Sequence, residues 1–116
     1  SAHRTAEKVR SYAMSAEERG IMVLIAAAGY AAHLPGVLAS WSMLPVIGVP
    51  LPTSDLRGVD SLMSIAQMPG GIPVASTGIG KSGAKNAALL AIQILGVRDA
   101  RLKNAYQVYR QNLANQ

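Results

Sequence analysis

Ile21-Met-Val-Leu-Ile-Ala-Ala27 is the stretch on which the fold turns. It is apolar without a break, which is the pattern of a strand buried on both faces of a parallel sheet. Outward from it the periodicity becomes helical. Upstream, Thr5 occupies an N-cap position, and residues 6–19 set Val9, Tyr12, Ala13 and Ala16 on one helical face before Gly20 closes the helix. Downstream, a turn at Gly29 leads to a helix that begins near Pro35 and runs toward Ser42. Residues 45–49 read as a second short strand, 50–55 as a proline-rich loop, and 59–67 as a helix. A loop at 68–73 precedes a strand at 74–77, a helix at 82–95 that stops at Gly96, and a last helix over 97–116 with Leu102, Tyr106 and Tyr109 on one side. Strands alternating with helices predict an α/β fold with a parallel sheet.

Composition narrows the function classes. A chain of 116 residues is one domain, and 50% apolar against 15% charged residues excludes a disordered polymer. With no Phe and only 4% aromatic residues, the core has to be aliphatic. The absence of Cys removes disulfides, thiolate metal sites and a Cys nucleophile. The longest apolar run, residues 21–32, is interrupted by Gly29 and falls short of the roughly 18 residues a bilayer span needs, so a soluble protein with no membrane partner is expected. No secretory signal is visible. Eleven Lys and Arg against six Asp and Glu give a net charge of +5, but the cations are dispersed and the aromatics scattered. That is not a nucleic-acid footprint. A modest positive field does suit a small anionic ligand such as a phosphate ester.

The order of elements carries a further expectation. Three strands preceded by a helix leave the first, strongly apolar strand at a bare edge, a hazard that native sheets avoid. A strand-helix-strand segment of roughly 30 residues or more is therefore expected to be missing or to come from another chain. Gly78-Ile-Gly-Lys-Ser-Gly83 matches G-x-G-x-x-G between a strand and a helix, yet it lies late in the chain and lacks the acidic partner of a dinucleotide site. A tight turn at a helix start is the simpler role for these glycines.

His3 and His33 are the only histidines, and neither has the acidic or histidine neighbours of a metal site. Their settings are more telling. His3 precedes the first helix beside Arg4, and His33 follows the turn after the buried strand, where open α/β sheets bind ligands. A helix N-terminus beside each supplies backbone N–H groups for an anion.

Ser1-Ala-His-Arg-Thr5, Ala31-Ala-His-Leu-Pro-Gly36, Gly58-Val-Asp-Ser-Leu62 and Gln67-Met-Pro-Gly-Gly-Ile-Pro-Val74 together resemble class I PurE, the N5-carboxyaminoimidazole ribonucleotide mutases of purine biosynthesis. The resemblance runs from Ser1 to about Gly96. It implies a flavodoxin-like three-layer fold and a cytoplasmic homo-octamer with active sites between subunits. It also implies an isomerase that converts N5-carboxyaminoimidazole ribonucleotide to 4-carboxy-5-aminoimidazole ribonucleotide with no cofactor and no metal. On that resemblance the substrate loses CO2, which re-adds at C4 while His3 shuttles the proton. Ser1 and Arg4 would lie against the ribose phosphate, and Ala28, Gly29, His33 and Leu34 would line the carboxylate and base pocket. Imidazole suits both proton steps near neutral pH, and a guanidinium offers phosphate a forked donor.

Two features depart from the family pattern. Its opening strand, Gly-Ser-x-Ser-Asp loop, helix and second strand are absent from residues 1–116, and its Gly-Ala-Gly-Gly stretch reads Ala27-Ala-Gly-Tyr30 here. Tyr30 is expected to crowd the pocket or push the loop aside, because a side chain takes positive φ only at a cost. The alternative reading is a non-catalytic homologue with a nucleotide-binding or assembly role.

Overall fold

The computed structural model describes residues 1–116 and contains a parallel sheet of three strands, β1 (Leu24–Ala28), β2 (Val46–Pro50) and β3 (Ala75–Ser76), in the order β1-β2-β3. Leu24 pairs with Val46 and Ala28 with Pro50, while Ile47 and Gly48 pair with Ala75 and Ser76. The sheet is accompanied by five helices, α1 (Ala6–Ala16), α2 (Leu34–Trp41), α3 (Val59–Ala66), α4 (Lys81–Gly96) and α5 (Ala100–Ala114), of which α5 packs on α4 rather than on the sheet. The arrangement is α/β, as the alternation of strands and helices predicts, and flavodoxin-like, as the family resemblance implies.

The core is split by the sheet. On one face Ala13 and Ala16 of α1 and Leu38 of α2 pack with Leu24, Ala26 and Val46. Pro35 of α2 and Ile65 of α3 close over Gly48 on that same side. On the other face Ile47 and Val49 meet Ala87 of α4, with Leu90, Ala91 and Ile94 at its margin. All five residues of β2 are buried, so β2 is the central strand. Side chains such as Ile47 and Val49 each contribute roughly 1.5–3 kcal/mol through burial.

β1 corrects the first expectation. It is buried on one face only: Leu24 and Ala26 point into the core, whereas Ile25 is 45% exposed and Ala27 is also open. The cause is coverage, since α4 stands over β2 and barely reaches β1. β1 does have a neighbour in β2, and its other edge is unpaired. Several boundaries also move. Residues 17–20 leave α1 as a turn, and β3 shrinks to two exposed residues. The last helix begins at Ala100 rather than at 97, because the Asp99 carboxylate accepts hydrogen bonds from the N–H groups of Arg101 and Leu102 and so sets the start there. Thr5 precedes α1 without capping it, as its hydroxyl donates to the Ser1 carbonyl at 2.9 Å. Tyr12 turns away from the core and lies under the Arg19 guanidinium.

The Gly78–Gly83 segment is a tight turn. A Cβ on Gly83 would overlap the Gly78 carbonyl oxygen, and Thr77 Oγ1 donates to the Gly83 carbonyl at 2.8 Å. No helix is long and apolar enough to cross a membrane.

Candidate active site

Three connections leave the carboxyl ends of the strands on one side of the sheet. The β1–α2 turn spans residues 29–33, the β2–α3 loop 51–58, and the β3–α4 turn 77–80. They are tied together by backbone. The Leu51 N–H donates to the Ala28 carbonyl at 3.0 Å, and the Gly80 N–H donates to the Pro50 carbonyl at 2.8 Å. Ligands bind at this end of open parallel sheets because the loops there are free to vary while the strands hold them in place.

His3 and His33, thirty residues apart in sequence, meet here. His3 Nε2 and His33 Nδ1 form a direct hydrogen bond, with the rings edge to face and their centroids 4.5 Å apart. One nitrogen has to carry a hydrogen for the other to accept. Both are exposed to solvent. His33 holds the N-cap position of α2 without a side-chain cap, which leaves its ring free for His3. His3 lies in a turn closed by the Arg4 and Thr5 N–H groups, both of which donate to the Ser1 carbonyl.

The other expected residues divide into two groups. Ala28, Gly29 and Leu34 adjoin the histidine pair at the end of β1 and the start of α2, and all three are half-buried. Ser1 and Arg4 share the His3 turn, exposed, with no side-chain hydrogen bond to the rest of the molecule. Arg57 on the β2–α3 loop and Lys81 at the first position of α4 are exposed on the connections at this end of the sheet. These cations raise the potential where an anion would approach. No cluster of three or more His, Cys, Asp or Glu could hold a metal ion.

The sequence matches the AIR carboxylase family over residues 1–116. This chain belongs to that family. It is 58% identical over 113 residues to the N5-carboxyaminoimidazole ribonucleotide mutase of Pyrococcus abyssi, covering 97% of this chain and 64% of that protein. Proteins of the same name from Saccharolobus solfataricus and Bacillus subtilis are 56% and 57% identical, over 99% and 97% of this chain and 72% and 69% of theirs. The chain thus spans about two thirds of the length of these AIR carboxylase relatives.

Two residues of this AIR carboxylase chain, Ser61 and Thr53, enter the site without having been singled out. Ser61 is fully buried, and its hydroxyl stands 3.0 Å from the Tyr30 carbonyl and 3.2 Å from the Leu51 carbonyl, joining the first two loops. Its only signal in sequence is the Gly58-Val-Asp-Ser-Leu62 motif, which carried no role. Thr53 presses so closely on Gly29 that a Cβ there would overlap Thr53 Oγ1. Tyr30, which the sequence marked as a departure in this loop, takes φ 51 and is 62% exposed, so its side chain stands largely in solvent.

A cavity of about 790 Å³ lies elsewhere, between α4 and α5, lined by Ile92, Tyr106 and Arg110 among others. It contains neither histidine and none of the three connections, and a pocket's size does not outrank its chemistry.

Proposed function

We propose that the protein converts N5-carboxyaminoimidazole ribonucleotide to 4-carboxy-5-aminoimidazole ribonucleotide. The observation that carries this reading is the His3–His33 pair at the carboxyl end of the sheet, in a chain of the AIR carboxylase family. The reaction is an isomerisation, and its atoms balance within one site. The N–C bond to the carboxylate breaks and releases CO2; His3 delivers a proton to that nitrogen. C4 of the imidazole then forms a C–C bond to the CO2, and the proton displaced from C4 returns to His3. No net proton or electron is exchanged, so a single imidazole recycles with each turnover.

Around that step, Arg4 and Ser1 hold the ribose phosphate, Arg4 through its forked guanidinium. Ala28 and Gly29 at the strand end, with His33 and Leu34 at the start of α2, line the pocket for the carboxylate and the base. Released CO2 has to be kept from escaping, which a site closed between subunits accomplishes. The cytoplasmic homo-octamer that the family resemblance implies meets this need, and exposed Leu56 in the loop before α3, with Val59 and Met63 on α3, offer apolar surface for such contacts. No metal or organic cofactor takes part.

The test is direct. Given substrate labelled with 13C in the carboxylate, the protein should move the label from nitrogen to carbon. His3→Asn should lower the rate by about 10²-fold or more while ribonucleotide binding stays measurable, the size of effect expected when a general acid–base is lost. Absence of label transfer by the wild-type protein, or full transfer by His3→Asn, overturns the assignment.

A further inference from the structure

We propose that Tyr30 is a specificity-determining residue whose ring stacks on the planar heteroaromatic base of the ribonucleotide. This rests on the function proposed above and deepens it. Of the four tyrosines, three have partners. Tyr12 lies under Arg19, while Tyr106 and Tyr109 stack on each other with the Lys85 ammonium 5.5 Å from the centre of the Tyr109 ring. Tyr30 alone has no aromatic, cationic or hydroxyl partner, and its ring is open to solvent.

Its backbone is the opposite of free. Tyr30 at φ 51 and Ala32 at φ 34 occupy a region that side-chain-bearing residues seldom adopt. Such strain persists only where the surroundings over-determine it, and it concentrates at ligand sites. Here Ser61 of α3 grips the Tyr30 carbonyl, the Ala32 N–H donates to the Gly29 carbonyl at 2.9 Å, and Thr53 of the next loop packs against Gly29. Buried Ala32 pins the far end of the turn, immediately before His33. A side chain needed for packing would be covered, and a loop needed only as a connection would not be strained. A ring presented on a rigid turn next to the histidine pair fits a third role: a platform for a flat ligand. The chemistry that matches it is an aromatic face, and the imidazole of the ribonucleotide supplies one.

The experiment separates the ring from the backbone. Asn tolerates positive φ, so Tyr30→Asn removes the ring with little backbone cost, and Tyr30→Phe keeps it. Binding of aminoimidazole ribonucleotide and of ribose 5-phosphate is measured by calorimetry on the wild type and both variants. Tyr30→Asn should weaken the ribonucleotide about three- to tenfold, leave ribose 5-phosphate unchanged, and be rescued by Tyr30→Phe, the scale of one aromatic stacking contact. Equal losses for both ligands, no loss, or tighter binding by Tyr30→Asn would each overturn the stacking role. If the wild type binds ribose 5-phosphate but not the aminoimidazole compound, or binds neither, the proposed function itself fails and the stacking role falls with it.

Discussion

At the scale of single residues, the site depends on side chains that hold other groups in place. His33 reaches His3 directly, so His33→Asn should retain the fold but slow turnover by about tenfold or more, as expected when an oriented acid–base partner is lost. Equal kcat in wild type and variant would remove His33 from the reaction. Ser61 is buried between two loop carbonyls, and Ser61→Ala leaves both without its hydroxyl. A loss of about 1–3 kcal/mol in denaturant-unfolding stability should follow. The two histidines could be singled out in the sequence because His3 precedes the first helix beside Arg4 and His33 follows the turn after the first strand. Ser61 was not, because a serine in a helix gives no sign of which carbonyls the fold brings over it. Tyr30 was misjudged in one respect. Its backbone cost was foreseeable, but the side-chain hydrogen bond that holds its carbonyl comes from Ser61, 31 positions away.

At the scale of elements, the turn into α4 shows why a glycine-rich signature need not bind a nucleotide. Gly83 sits against the Gly78 carbonyl, so Gly83→Ala should destabilise the protein by about 2 kcal/mol or more through overpacking. Gly78→Ala, whose added Cβ meets nothing, should cost far less. Thermal unfolding of the two variants tests the pair, and equal midpoints would contradict the packing role. The start of α5 belongs to Asp99, and Asp99→Ala should cost about 1 kcal/mol with fraying confined to residues 100–103, measurable by hydrogen exchange. Element order and type could be read from periodicity and from Gly and Pro positions. The boundaries at 16, 75–76 and 100 could not, since each depends on which polar group wins a particular backbone hydrogen bond.

At the scale of the whole molecule, the surface is too large for the mass. A compact monomer of 12.1 kDa exposes about 6,000 Å². This one exposes 7672 Å², and its radius of gyration of 15.0 Å exceeds the roughly 13 Å expected for the length. Much of the exposed apolar surface is identifiable: Met22 and Ile25 around β1, Leu56, Val59 and Met63 by α3, and an α5 with no buried residue. Residues 1–116 expressed by themselves should therefore self-associate, and Ile25→Lys should reduce this, as followed by light scattering; a monodisperse monomer would contradict the reading. The sequence by itself determined the family, the alternation of strands and helices, the aliphatic core and the two histidines, because these follow from local pattern and residue chemistry. Only the tertiary structure decided that β1 is covered on one face, that His3 and His33 share a hydrogen bond, and that Tyr30 is held rigid with its ring free. Each of these depends on groups distant in sequence reaching the same few ångströms, and local periodicity carries no record of that distance.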